Sequence, residues 1–169
     1  MIREYAPIGL IPAAWLMTLA TLVYPKISTY WIEHMHYFMI AFLGGFTLFS
    51  WRQMDSDPVL KIWRNVIAGG LFFTLIGALS FMNLPYTGLM SWASIGYWFL
   101  APSTALYLSA EEMDRYSQLY NQLSFVSVAG VAVFVTGILL SSDPAIAVGI
   151  VGIAAAQTVS IVAAADLDS

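Results

Sequence analysis

The sequence predicts an all-α polytopic membrane bundle, a single transmembrane domain over residues 1–169 with about six transmembrane helices. Three observations carry that prediction. The chain of 169 residues is 60% hydrophobic and 9% charged, far from the roughly 25% charged usage of soluble domains. Its apolar runs are about 20 residues long, the length a helix needs to cross hydrocarbon. Those runs are apolar all round, whereas barrel strands alternate polar and apolar residues over about 10 positions, so backbone pairing in lipid falls to helices.

The expected spans are 6–24, 32–51, 65–83, 89–108, 122–141 and 145–164. The first follows Arg3 and contains Pro12, and its end at Thr18, Leu19 and Ala20 has the outline of a signal peptide; we read it as a retained span. Pro25 and Lys26 separate it from the second span, which carries the pair Gly44 and Gly45. Asp55, Ser56, Asp57 and Pro58 lead towards the third, which carries Gly69 and Gly70. Leu84, Pro85, Tyr86, Thr87 and Gly88 precede the fourth, which contains Pro102. A tight hairpin at Ser142, Asp143 and Pro144 supplies cap and first-turn chemistry for the sixth. The stretches 52–64 and 109–121 are the longest connections, with room for short surface helices.

Six spans put both termini on one side. That side gathers Arg3, Arg52, Lys61, Arg64 and Arg115 against Lys26 on the other, which predicts cytoplasmic termini in the plasma membrane. Trp31, Trp51, Trp63, Trp92, Tyr5, Tyr24, Tyr30, Tyr86 and Tyr107 fall near span ends, where amphipathic rings sit at headgroup level.

The apolar cores of the spans contain no Asp, Glu, Lys or Arg. Pumps, voltage sensors and ion-coupled carriers commonly mark their path with such groups. Cysteine is absent, which removes thiol chemistry and disulfides. The net charge of -4 and the lack of a basic block argue against nucleic acid. No metal, cofactor or catalytic residue is expected and the chain does not read as an enzyme, because its Ser and His residues form no acid, base and nucleophile set.

What polar chemistry remains is sparse. Glu33, His34 and His36 form a boundary titratable cluster, but imidazoles two residues apart diverge by about 200° on a helix and cannot share a metal. A single axial haem ligand, a pH sensor, a half-site completed by another chain or wet interfacial groups are the readings left open. Pro12 and Pro102 free the carbonyls of Ile8 and Trp98, with Ser94, Ser103 and Thr104 as nearby hydroxyl partners. Helices broken in this way often line pathways. Thr18, Thr21, Thr47, Ser50, Thr74, Ser80, Thr136, Gln157, Thr158 and Ser160 suit a neutral solute or interhelical bonds. Small residues at four-residue spacing mark close helix packing: Gly152, Ala156, Ser160 and Ala164 in the sixth span, beside Ala145 and Gly149. The third carries Gly70, Thr74 and Ala78; the fifth carries Ala129, Val133 and Gly137, flanked by Gly130.

The run Ala6, Pro7, Ile8, Gly9, Leu10 resembles the second half of the Asn-Pro-Ala-Pro-Leu-Gly-Leu signature of the acetate and succinate uptake transporters. Phe42, Leu43, Gly44, Gly45 is similar to that family's aromatic and paired-glycine segment, and Trp51, Arg52 and Gln53 correspond loosely to the stretch that closes it. Glu4 and Tyr5 stand where the signature opens with Asn and Pro, and the Gln and Ala-Gly pattern after the glycines is missing. The resemblance implies six spans, a cytoplasmic N-terminus and an oligomer. It also implies that each protomer holds a narrow apolar path for a small carboxylic acid, with Pro7, Gly9 and Leu10 near the inner mouth.

The function expected from these readings is a small transporter or channel for a small, largely neutral or weakly acidic solute. Pro7, Gly9, Leu10, Pro12, Gly44, Gly45, Ser94, Pro102, Ser103 and Thr104 are its pathway residues. The alternative is a non-catalytic accessory subunit of a larger membrane complex, with a haem or pigment as a contact open to it. Either reading makes the lipid bilayer a partner, with other copies of the chain or foreign subunits beside it.

Overall fold

The computed structural model describes residues 2–24 and 26–167, and the side chains of 12–22, 24 and 26–166. Pro25 and the side chains of Tyr5, Pro7 and Leu10 lie outside the described residues. Among the described residues there are six α-helices and no strand: α1 (Ile2–Val23), α2 (Thr29–Ser50), α3 (Pro58–Leu79), α4 (Thr87–Glu112), α5 (Ser117–Leu139) and α6 (Asp143–Leu167). A single 3₁₀ turn, Gln53–Asp55, joins α2 to α3.

Each helix covers its expected span, with shifted ends. The third begins seven residues earlier than the hydropathy pattern indicates, because Asp57 accepts a hydrogen bond from the Leu60 amide at 3.0 Å and Pro58 occupies the first turn. The long stretches expected as connections thereby shrink to short turns. Among the described residues three in turns have left-handed backbone without being glycine: Tyr86 (φ 67°), Tyr116 (φ 70°) and Ser141 (φ 50°).

Among the described residues three helices, α3, α5 and α6, are long and apolar enough to cross a membrane, so the structure supports a membrane-type helical bundle with fewer spans of that kind than the six expected. The reason lies in composition. α2 and α4 have the length, 22 and 26 residues, but Tyr, Trp, His and Ser dilute their apolar character. In α1 the described apolar stretch is Pro12–Leu22.

The helices pack in the order α2, α3, α4, α5, α6, α1, an arc whose ends are α2 and α1. Sequence neighbours α1 and α2 thus end on opposite flanks. α5 and α6 make the most intimate pair: a Cβ on Gly130 would lie 2.8 Å from the Gly149 oxygen, and one on Gly149 2.7 Å from the Gly130 oxygen. Gly137 meets Ile146 and Ala145 in the same way. This corrects the register expected for α5. Ala129 and Val133 are exposed, and Gly130, Phe134 and Gly137 form the buried stripe. In α6 Ala156 and Ser160 are buried, and Gly152 and Ala164 half-buried; in α3 the expected Gly70, Thr74 and Ala78 are all buried.

The core has two parts. Trp15, Phe99, Phe134, Ile150 and Ile153 fill the centre, with Trp15 stacked on Phe99 at 5.6 Å. Leu106, Ala110, Tyr120, Leu123, Ala156 and Ala163 fill the end beside the α4–α5 turn.

Candidate functional site: an uncharged polar line through the bundle

The two glycine pairs have opposite fates. Gly69 and Gly70 on α3 receive Tyr97 and Trp98 of α4: a Cβ on Gly69 would lie 2.7 Å from Tyr97 Cζ, and one on Gly70 2.5 Å from the Trp98 ring. Tyr97 stacks on Phe73 at 4.5 Å and donates its hydroxyl to the Val66 carbonyl at 2.8 Å. Gly44 and Gly45, expected along the pathway, meet nothing within 4 Å on the outlying helix α2.

Seating Trp98 against Gly70 places its indole Nε1 to donate to Thr74 Oγ1 at 3.1 Å. Its backbone carbonyl has lost the helical donor at Pro102, and Gln157 Nε2 of α6 approaches it at 3.5 Å. The same amide accepts from Trp15 Nε1 of α1 at 2.9 Å. Thr74, Trp98, Gln157 and Trp15 thus link α3, α4, α6 and α1 through uncharged groups.

This corrects the expectation for the freed carbonyl. Ser103 turns to the Phe99 carbonyl at 2.6 Å and Thr104 to that of Leu100 at 2.9 Å, each four residues back on its own helix. Ser103 also meets Ser127 of α5 at 2.7 Å, and Ser124 donates to the Ser103 carbonyl at 3.0 Å. The α5 serines, Ser109 and the two indoles escaped sequence reasoning. Their signal was present as hydroxyls inside otherwise apolar helices and as tryptophans far from helix ends.

Near the far end of α3, Ser94 of α4 and His36 of α2 converge on Gly77. Ser94 Oγ lies 2.7 Å and His36 Nε2 3.1 Å from the position a Gly77 Cβ would take. His36 Nδ1 lies 2.8 Å from the Ile32 carbonyl, within hydrogen-bond reach, which leaves Nε2 turned towards Gly77. Among the described residues neither Nε2 nor the 5%-exposed Ser94 hydroxyl has a hydrogen-bond partner. His34 diverges as its spacing requires: it is exposed, stacks on Tyr30 at 3.9 Å and bonds its carbonyl. Glu33 accepts from Tyr37 at 2.5 Å. The titratable cluster therefore separates: His36 turns towards α3, whereas Glu33 and His34 both meet Tyr37 on the exposed side of α2.

Along α4, Ser94, Ser103 and Ser109 are all buried, nine and six residues apart, about 13 Å and 9 Å along the axis. Among the described residues Ser109 Oγ is buried without a partner, as is Thr47 Oγ1 on α2. Leu106, fully buried, lies between the last two serines.

Described ion pairs stand at one end of the bundle. Asp55 binds Arg64 at 2.9 Å and Lys61 at 3.9 Å, with Arg64 over the Trp51 ring at 4.5 Å. Asp166 binds Arg115 at 2.9 Å and accepts from the Tyr116 hydroxyl at 2.5 Å, a bond that raises the Tyr116 phenol above its ordinary range. Tyr24, Tyr30, Trp31, Trp51, Tyr86, Trp92 and Tyr107 are exposed near helix ends, and Trp63 packs against the core.

No family model, no curated protein and no solved structure matches the chain.

Proposed function

We propose that the chain spans the plasma membrane six times with both termini in the cytoplasm, and that it conducts a small, largely neutral or weakly acidic solute. The observation that carries this reading is the convergence on Gly77 of His36 Nε2 and Ser94 Oγ, neither hydrogen-bonded among the described residues, at the head of a line of uncharged polar groups. An undissociated carboxylic acid matches that pair, donating its O–H to the imidazole and accepting the Ser94 proton at its carbonyl. One turn further in come Thr74 and Trp98, then Gln157 and Trp15. A neutral solute exchanges hydrogen bonds along such groups without the cost of burying an ion.

The absence of charge from the apolar cores supports passive movement of the neutral form over ion coupling. The excess of bases at the end carrying Arg52, Lys61, Arg64 and Arg115 supports its placement in the cytoplasm. The test is flux of labelled acetate, propionate and glycerol into proteoliposomes between pH 5 and 7. Flux above that of empty liposomes at the same pH for at least one of these solutes supports the reading; flux equal to that of empty liposomes for every solute rejects it.

A second reading, a non-catalytic subunit of a larger membrane complex, is favoured by Gly44 and Gly45. Two adjacent glycines with nothing within 4 Å, on a helix at the end of the arc, suit a foreign helix packed there. It predicts partner chains in native mass spectra after gentle extraction, and a chain recovered alone rejects it.

A further inference from the structure

α2 is held to the rest of the bundle unevenly. At its C-terminal end Ser50 and Met54 are buried, and the Trp51 ring lies 4.5 Å from the Arg64 guanidinium, itself bonded to Asp55 at 2.9 Å. Towards its other end the helix meets α3 through packing, with the His36 ring against Phe81 at 5.1 Å and the planes 69° apart. Among the described residues no hydrogen bond links an α2 side chain to another helix, and those of His34, His36 and Tyr37 stay within α2. One end of α2 is thus pinned, and the other rests on packing around one imidazole.

That imidazole sits where three helices meet. Gly77 of α3 lets His36 Nε2 and Ser94 Oγ come within 3.1 Å and 2.7 Å of the place its Cβ would take, so the two atoms face one another across the glycine. No carboxylate stands there among the described residues. The charged residues of α3 are Lys61 and Arg64 and those of α4 are Glu111 and Glu112, each at least thirteen residues from Gly77 or Ser94 on its helix, about 20 Å along the axis. Tyr97, the phenol of α4 nearest Ser94 in sequence, donates to the Val66 carbonyl. On α2 itself Glu33 and His34 meet Tyr37 on the exposed side, and Lys26 is exposed ahead of the helix. A proton taken up by His36 therefore brings a charge into packing that offers one neutral hydroxyl in place of its water, and a charge so placed opposes burial. Histidine is the side chain that changes charge between about pH 5 and 8. We propose that His36 is a proton-operated latch. Neutral, it lets the N-terminal half of α2 lie on α3; protonated, it releases that half, which swings away about the pinned end and bares Ser94.

The inference rests on the His36 and Ser94 site of the reading above and not on transport. The chain has no cysteine, so pairs of introduced cysteines carry spin labels at chosen places. Phe38→Cys with Leu140→Cys, both at exposed positions, reports the N-terminal half of α2 against the α5–α6 turn; Phe49→Cys with Gln118→Cys, also exposed, reports the pinned end. Distances are measured by pulsed electron paramagnetic resonance in nanodiscs at about pH 8 and pH 5, either side of the imidazole range. The expected result at the lower pH is a second population of the first pair, displaced by about 5 Å, half a helix diameter, with the second pair unchanged. His36→Gln is expected to abolish that population, His34→Gln to keep it, and His36→Arg to show it at both pH values. A first pair that ignores pH, a displacement that survives His36→Gln or vanishes with His34→Gln, a His36→Arg protein that stays closed, or equal movement of both pairs overturns the proposal. Solute flux through the same protein in vesicles separates the failures. Flux with distances that ignore pH overturns this proposal alone, and pH-dependent distances without flux overturn the transport reading alone.

Discussion

Gln157 Nε2 lies 3.5 Å from the Trp98 carbonyl that Pro102 deprives of its helical donor, and its Oε1 accepts the Trp15 indole at 2.9 Å. One amide thus serves a backbone defect in α4 and a side chain of α1. Gln157→Leu is expected to destabilise the protein by about 1–2 kcal/mol, the scale of two modest bonds in a membrane interior. Trp15→Phe removes one of them and is expected to cost under about 1 kcal/mol of hydrogen bonding. The two changes together are expected to cost less than their sum in detergent unfolding, since the shared bond is lost only once; strict additivity contradicts the linkage.

The paired glycines make a contrast within one protein. Gly149→Ala pushes a methyl against the α5 backbone at Gly130 and Phe134 and is expected to cost about 1–3 kcal/mol through overpacking. Gly45→Ala meets open space and is expected to stabilise an isolated chain by up to about 1 kcal/mol through helix propensity. If Gly45→Ala instead lowers the melting temperature only of the gently extracted protein, a foreign helix packs there.

Ser141 holds a left-handed backbone, φ 50°, in the exposed turn between α5 and α6. Ser141→Gly is expected to stabilise the hairpin by about 0.5–1 kcal/mol, because glycine adopts that region without a Cβ clash. An unchanged or lower melting temperature counts against strain at this position.

Ser94→Ala removes the hydroxyl facing His36 while leaving helix and volume nearly intact. Loss of one neutral hydrogen bond to solute is expected to lower flux by about two- to tenfold, with no matching fall in melting temperature because Ser94 Oγ bonds nothing in the described fold. Flux indistinguishable from wild type removes Ser94 from the path.

The Asp166 bond raises the Tyr116 phenol above its ordinary value near 10. A group whose folded pKa is raised contributes stability that is whole below the unfolded value and is lost as pH climbs through the folded one. The α4–α5 turn is therefore expected to loosen only in strong alkali, with Tyr116→Phe abolishing that dependence. Phenolate absorbance on stepwise titration, compared between the two proteins, checks it.

Much of this architecture was legible in the chain, for particular reasons. Apolar length located six helices, and Pro102 announced a carbonyl needing a donor. Gln157, the donor, stands 59 residues away from Trp98, and no local rule selects it over Ser103 or Thr104. Those hydroxyls were nearer in sequence but bonded their own helix four residues back, the geometry a helical hydroxyl reaches most easily. The identical dipeptides Gly44-Gly45 and Gly69-Gly70 could not be ranked from sequence, because what distinguishes them is the presence of Tyr97 and Trp98 across one and nothing across the other.

The sequence by itself determined the solvent and the local geometry. Backbone groups of an apolar chain must pair within helices, capping and proline chemistry place their ends, and the sparse charges collect outside the apolar cores. Only the tertiary structure decided that α1 closes on α6 and not on its neighbour α2, that α5 packs through Gly130 and Gly137, and that indoles and Gln157 form the central polar line. In a chain this uniformly apolar, hydrophobicity does not rank one helix pairing above another. The choice falls to steric fit at glycines and to the few hydrogen bonds that reach between helices.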